Sequence, residues 1–312
     1  MSMAFDVLVA VLVAGLALRI LTVRGLFQAV ILFVAFGLAL AMVWVRVGAI
    51  DIAIAEVALG AGVTGALLVN TLRRLEHKAP EWIDSAPASR RAAILPSMCG
   101  LLAGAAAVAA IGAPRAAQPM ALRVMDSVDL TAAAHPVTAV LLDLRAWDTL
   151  LEIAVLVAGV TAVWALERGR PAVPAPAELG EEPLLAALVR WIVPLTLITA
   201  VYLTWFGSYG PGGAFQAGAL LAGAGVLLLA GGFMQPPRPR MPLLRGVVAA
   251  GLFIFAAVAL YTAVTQGSML RYPAQSAYYW ILGIEAALTV SIAMILVDLF
   301  VDVPAAPTSA GE

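Results

Sequence analysis

An all-α protein crossing a membrane about nine times is the fold this sequence predicts, and three observations carry the prediction. Of 312 residues, 63% are hydrophobic and 12% charged, with a mean hydropathy of +1.00, well outside the balance of soluble domains. The apolar residues gather into runs of roughly 18 to 25, enough to span about 30 Å of hydrocarbon at about 1.5 Å per helical residue. The basic residues stand between alternate runs, as they do where inner loops are cationic.

The runs lie near Phe5 to Val23, Leu26 to Val45, Ile50 to Leu72, Ala92 to Ala113, Thr149 to Leu166, Leu185 to Phe206, Gly213 to Phe233, Leu244 to Thr265 and Ala277 to Val301. The opening MSMAFD has no basic residue before its apolar run, so it reads as the first span rather than a cleaved leader. Leu75 to Arg91 is charged and contains proline, and Glu167 to Pro183 is acidic and rich in proline; both read as solvated connections. They divide the chain into three small bundles in a row: residues 1–78, 79–170 and 183–304. Pro114 to Pro136 is too polar to span and should carry a short surface helix around Met120 to Leu130. With the N-terminus outside and the C-terminus inside, thirteen of the 18 basic residues fall in inner connections.

Several function classes are excluded. A net charge of −1 with no basic face argues against nucleic acid. The single cysteine, Cys99, allows neither an intrachain disulfide nor a thiolate metal cluster, and two histidines, His77 and His135, make no histidine-rich metal site. No cofactor is expected. The one lysine, Lys78, lies in a loop, so no span holds the buried lysine with which a pumping subunit couples to acids.

The third run, IDIAIAEVALGAGVTGALLVNTL, carries Asp51 and Glu56 into a segment otherwise fit for lipid. An acid at bilayer depth costs roughly 2.5 to 3.5 kcal/mol on insertion scales, so it faces protein or a wet cavity and marks an ion path. On an α-helix Glu56, Gly60 and Thr64 share a stripe, and Gly60, Gly62 and Gly65 let another helix come close. Asp51 lies about 140° round from Glu56, so the two do not form one paired site. Asp51 reads either as an ion-path residue or as an N-terminal anchor favoured by the helix dipole.

In HPVTAVLLDLRAWDTLLEIAVLV, Asp143 and Arg145 precede a helix on which Asp148 reads either as the N-terminal cap or as an ion-path residue. Glu152 sits one turn further in, followed by unbroken apolar sequence. It is either an ion-path residue or a local partner of Arg145. FGSYGPGGAFQAG should be a tight re-entrant turn, because Gly210, Gly212 and Gly213 admit unusual backbone angles and Pro211 lacks an N–H. Such backbone survives at membrane depth only inside protein or beside a cavity. No Lys and Ser/Thr follow its glycines, so it is not a nucleotide loop. In the last run Glu285 points inward and is a further ion-path candidate, whereas Asp298 reads as an end residue.

On these residues the chain resembles the membrane modules of Mrp-type multisubunit cation/proton antiporters and the related membrane-bound hydrogenases. Asp51, Glu56 and Gly60 match the hydrogenase D-type module also found at the end of the large A-type antiporter polypeptide. Asp143, Arg145, Asp148, Thr149 and Glu152 match the E-type module, with Leu151 where a Gly is usual. Gly207, Pro211, Gly212, Gly213, Phe215 and Gly218 match the B-type antiporter module, with Ser208 replacing the usual His and Ala214 a Gly. The resemblance covers Phe5 to Val301 in the order those modules follow. It implies an accessory subunit, without catalysis of its own, of a prokaryotic inner-membrane assembly related to the complex I membrane arm and exchanging Na+ or another cation for protons. The partners implied are lipid and other membrane subunits, including antiporter-like ones with buried lysines. A redox-driven membrane complex and a purely structural scaffold are the alternatives.

Overall fold

The computed structural model describes residues 3–23, 25–78, 98, 101, 102, 105, 120–166, 183–235 and 241–301. Among these residues the regular elements are all helical. Seven of the helices are long and apolar enough to cross a membrane. They begin with α1 (Met3–Thr22) and α2 (Leu26–Arg46), followed by α3 (Ile50–Ala55), which runs through a π-helical stretch (Glu56–Val63) into α4 (Thr64–Lys78). After α5 (Met120–Val128) come α6 (Pro136–Ala139), a second π-helical stretch (Val140–Leu144) and α7 (Ala146–Leu166). The last four are α8 (Pro183–Phe206), α9 (Ala214–Ala230), α10 (Pro242–Gln266) and α11 (Ala277–Val301). The expected fourth span, the two linkers and Cys99 lie largely or wholly outside the described residues.

The helices alternate in direction, and polar contacts mark the two ends. At one end Arg46 at the close of α2 grips Asp6 at the start of α1 through two hydrogen bonds of 2.6 and 2.9 Å. At the same end α3, the head of α6 and the α8–α9 loop converge. At the other end Asn70 donates to the Phe300 carbonyl at 3.0 Å. There Trp164 Nε1 also donates to Asp298 Oδ2. Asp298 is fully buried, so the reading of it as a simple helix end is corrected: it ties α7 to α11 through an indole N–H that would otherwise be left unbonded.

α11 is the central post, with over half of its spanning window buried. Its Ile281, Ile284, Leu288 and Ile292 pack with Ile153 of α7 and Phe255 of α10 in one core cluster. Small residues of α9, among them Ala217, Gly218 and Ala222, let it lie close against α11. A Cβ on Gly218 would stand 2.9 Å from Ile292 and 3.1 Å from the Thr289 carbonyl. The peripheral helices α1 and α8 bury little of their surface within the chain. Side chains such as Trp191, Ile198 and Val264 stand well exposed on the outer faces. An apolar exterior of this kind requires lipid or partner helices around it.

α9 has 17 residues, about 26 Å of helix, short of the roughly 30 Å hydrocarbon core. The Gly-rich, non-helical segment 207–213 precedes it.

In the loop after α10, Tyr272 is buried within the core cluster, and its hydroxyl has no hydrogen-bond partner. Burial and the nearby Asp143 charge push its phenol far above its ordinary value near 10. The unfolded chain therefore ionises this phenol at alkaline pH while the folded chain does not, and stability falls as pH rises past about 10. Tyr272→Phe is expected to raise thermal stability by about 1 kcal/mol at neutral pH and to flatten the alkaline decline. A melting series from neutral to alkaline pH checks both.

Candidate functional site

The predicted acids fall in three different settings. Glu56 opens the first π-helical stretch, where the Thr64 N–H bonds to the Leu59 carbonyl five residues back. This corrects the expectation of a continuous α-helix. Gly62 makes the wide turn possible, since a Cβ there would stand 3.0 Å from the Val57 carbonyl. The Glu56 carboxylate lies in a notch left by two glycines on different helices. A Cβ on Gly60 would come within 2.3 Å of Glu56 Oε1, and one on Gly37 of α2 within 3.2 Å. π-helical turns of this sort concentrate at functional positions.

Asp51 is buried, and its carboxylate serves other segments instead of its own helix end. Gly212 N donates to Oδ1 at 3.1 Å, and His135 Nε2 meets Oδ2 at 2.9 Å. Gln216 Nε2 reaches the Asp51 carbonyl at 3.4 Å. The anchor reading of Asp51 is thereby replaced by a tertiary one. Asp51 and Glu56 occupy separate surroundings, as their spacing predicts.

The re-entrant turn has the expected form. Gly213 adopts φ +110°, which a side chain would strain. The N–H groups of Gly207 and Gly213 both bond to the Leu203 carbonyl, at 3.0 and 2.9 Å. The middle segment adds two hydrogen bonds to the loop: His135 N donates to the Ser208 carbonyl at 3.0 Å, and Thr138 Oγ1 donates to the Gly207 carbonyl. Sequence reasoning missed His135 and Thr138 because nothing local marks them; both act only by meeting this loop.

Glu285, eight residues into α11, reaches the same loop from the other side and is 3% exposed. A Cβ on Gly213 would lie 3.0 Å from its Oε1, and one on Gly207 3.3 Å. The Ala214 amide hydrogen-bonds its carboxyl group, while Oε2 has no partner. One loop thus holds two buried acids on amides two residues apart.

Residues 11–77 match the MbhD family model, which describes the D-type component of MBH. Residues 184–303 match a domain related to the MnhB subunit of Na+/H+ antiporter. The two matched segments lie on one chain, in that order. The fold also resembles a solved chain of the Mrp complex from Dietzia sp. DQ12-45-1b, with a TM-score of 0.72 and 24% identity over 94% of this chain. The present chain spans about a third of that chain's length, 34%. Among curated proteins no match is found.

Asp51 and Glu56 lie in the segment that matches MbhD, and the loop, Gln216 and Glu285 in the segment that matches the MnhB-related domain. His135 lies between the two matched segments, as do the residues resembling an E-type module. There the Arg145 N–H bonds to the Val140 carbonyl at 2.8 Å, closing the second π-helical stretch. Thr149 Oγ1 donates to the Leu141 carbonyl at 2.6 Å, and Asp143 Oδ2 accepts the Ala132 N–H at 3.0 Å. Arg145 pairs with Asp148 at 2.5 Å, both well exposed, so the reading of Arg145 as the partner of Glu152 is corrected. At i,i+3 Asp148 lies within reach of the short break at Arg145, whereas Glu152 is a further turn away. Glu152 itself is exposed, on the flank of α7 between the buried Thr149 and Ile153 and the exposed Leu151 and Val155. It does not join the Asp51–Glu285 junction. Among the described residues no group of three or more His, Cys, Asp or Glu has metal-binding geometry.

Proposed function

We propose that this chain is an accessory, non-catalytic subunit of a multisubunit Na+(cation)/H+ antiporter in the inner membrane of a prokaryote, lining part of the ion route. The observation that carries the reading is the meeting of buried Asp51 and Glu285 on one loop where the MbhD-type and MnhB-type modules join. Buried carboxylates within membrane-spanning segments are ion- or proton-path residues by default. The absence of lysine from the described spans supports a coupling step carried by partner subunits with buried lysines. Exposed Glu152 and the little-buried α1 and α8 are surfaces for such partners and for lipid. The cation distribution supports an outside N-terminus, which external labelling of a cysteine placed at Ser127 reads.

A redox-driven membrane complex is the second reading, favoured by the MbhD match. Reconstituted alone in liposomes, the chain is expected to give no cation-dependent dissipation of a pH gradient; robust exchange by the lone chain would overturn the subunit reading. Purified from native membranes, it should bring down further membrane subunits. Metallocentre subunits among them would favour the redox reading.

A further inference from the structure

At the end of the chain opposite the Asp51–Gly212 contact, the turn between α1 and α2 encloses a hollow of about 350 Å3. Arg19 and Val23 line it from the α1 side, and Phe27, Gln28, Ile31 and Leu32 from the first two turns of α2. The Val23 N–H still bonds to the Arg19 carbonyl at 2.9 Å, so these two residues stand one above the other. Phe27 and Ile31, and Gln28 and Leu32, are also four apart, and each helix turns one stripe toward the hollow. Gln28 folds back over the turn, its Oε1 3.6 Å from where a Cβ on Gly25 would stand. Ile31 and Leu32 lie about one turn deeper along α2. The hollow is therefore polar beside the turn and apolar below it.

Neither polar side chain is used by the fold. Among the described residues Arg19 forms no ion pair, and the one acid of α1, Asp6, is held at the far end of the helix by Arg46 at 2.6 Å. α1 is little buried by the rest of the chain, and the walls come only from α1, the turn and α2. An arginine just inside a helix end extends toward the headgroup layer, and its planar fork matches the oxygens of a phosphodiester. The volume lies in the lower part of the roughly 300 to 1,000 Å3 range of small-molecule sites, room for a headgroup and the root of a chain. A partner carboxylate would satisfy Arg19 but bring no aliphatic chain to the Ile31 and Leu32 wall. An anionic phospholipid supplies both.

We infer that this hollow binds one anionic phospholipid, with Arg19 and Gln28 on its phosphate and Phe27, Ile31 and Leu32 on the chain below. The α1–α2 hairpin is then tied at both ends, by the Asp6–Arg46 pair at one and by the lipid at the other.

The test is photolabelling of the purified assembly containing this chain, using phosphatidylglycerol with a diazirine near the carboxyl end of one acyl chain. Label is expected on the peptide Gly25–Arg46, which cleavage after arginine releases. Unlabelled phosphatidylglycerol should compete, whereas phosphatidylcholine and inorganic phosphate should not. Arg19→Gln should lower the labelling about tenfold, the loss of a charge-assisted hydrogen bond. Leu32→Trp fills the deeper part of the hollow and keeps the charge; it should lower the labelling too, and it serves as the second arm if the first variant fails to assemble. Labelling that phosphatidylcholine competes away equally, or that neither substitution lowers, marks ordinary solvating lipid and overturns the proposal. A photoreactive residue placed at Phe27 that cross-links to another subunit instead of lipid overturns it in favour of a protein partner.

Discussion

Gly207→Ala is expected to dismantle the junction and strip the chain from its assembly. A Cβ at this position would stand 2.7 Å from Gly213 N and 2.8 Å from Gly213 Cα, and backbone on both sides leaves nothing to swing away. The loop is tied to Leu203, His135 and Thr138 and carries Asp51 and Glu285 on its amides. Any shift that relieves the overlap therefore breaks several buried hydrogen bonds. Overpacking alone costs roughly 1 to 3 kcal/mol, and each buried polar group left unsatisfied adds about 1 to 3 kcal/mol. The yield of intact assembly should fall sharply. Gly223→Ala is the control, since an added Cβ meets nothing within 4 Å; it should leave yield and melting temperature unchanged. Equal behaviour of the two variants in a size-exclusion and melting comparison would show that the loop does not hold the modules together.

Glu56→Gln should have the opposite signature: intact assembly, with cation/proton exchange lowered by about 100-fold or more, the lower bound for removing a positioned proton-transfer group. Glutamine fits the notch between Gly37 and Gly60 and keeps most of the hydrogen-bonding capacity, but it cannot carry the charge. Glu152→Gln, on an exposed face, is expected to lower exchange less. If Glu56 only holds structure, the assembled variant will exchange at the normal rate, and the main reason for an ion path through this chain disappears.

Much of the architecture was legible because apolar length is a strong signal. The expected run Leu26 to Val45 differs by one residue from the helix Leu26–Arg46, and Ala277 to Val301 matches its helix at both ends. The glycines and proline after Phe206 marked a turn, and a turn stands there. What escaped was anything set by distant partners. Asp51 was recognisable as an acid in an apolar run, but its partner amide at Gly212 lies 161 residues away. His135 looked like a loop residue, and no periodicity connects it to Asp51. The π-helical stretch at Glu56 was hidden because a stripe counted at i, i+4 and i+8 presumes the α geometry it is used to detect. Gly60 and Gly62 were its only trace. Glu285 was visible as an inward acid, although nothing local told that one oxygen would be left bare.

The covalent link between the modules bears on how the junction holds together in a fluid bilayer. The Asp51–Gly212 and Asp51–His135 contacts join residues 161 and 84 positions apart. Were the modules separate polypeptides, these few hydrogen bonds would form in a bimolecular encounter governed by copy number and dilution in the membrane. On a single chain the encounter becomes intramolecular, and its effective concentration no longer depends on copy number. A contact too weak to recruit a free partner can then stay closed nearly all the time. A single chain also keeps the two matched segments in equal number, so unequal expression cannot leave Asp51 or the glycine loop facing lipid alone.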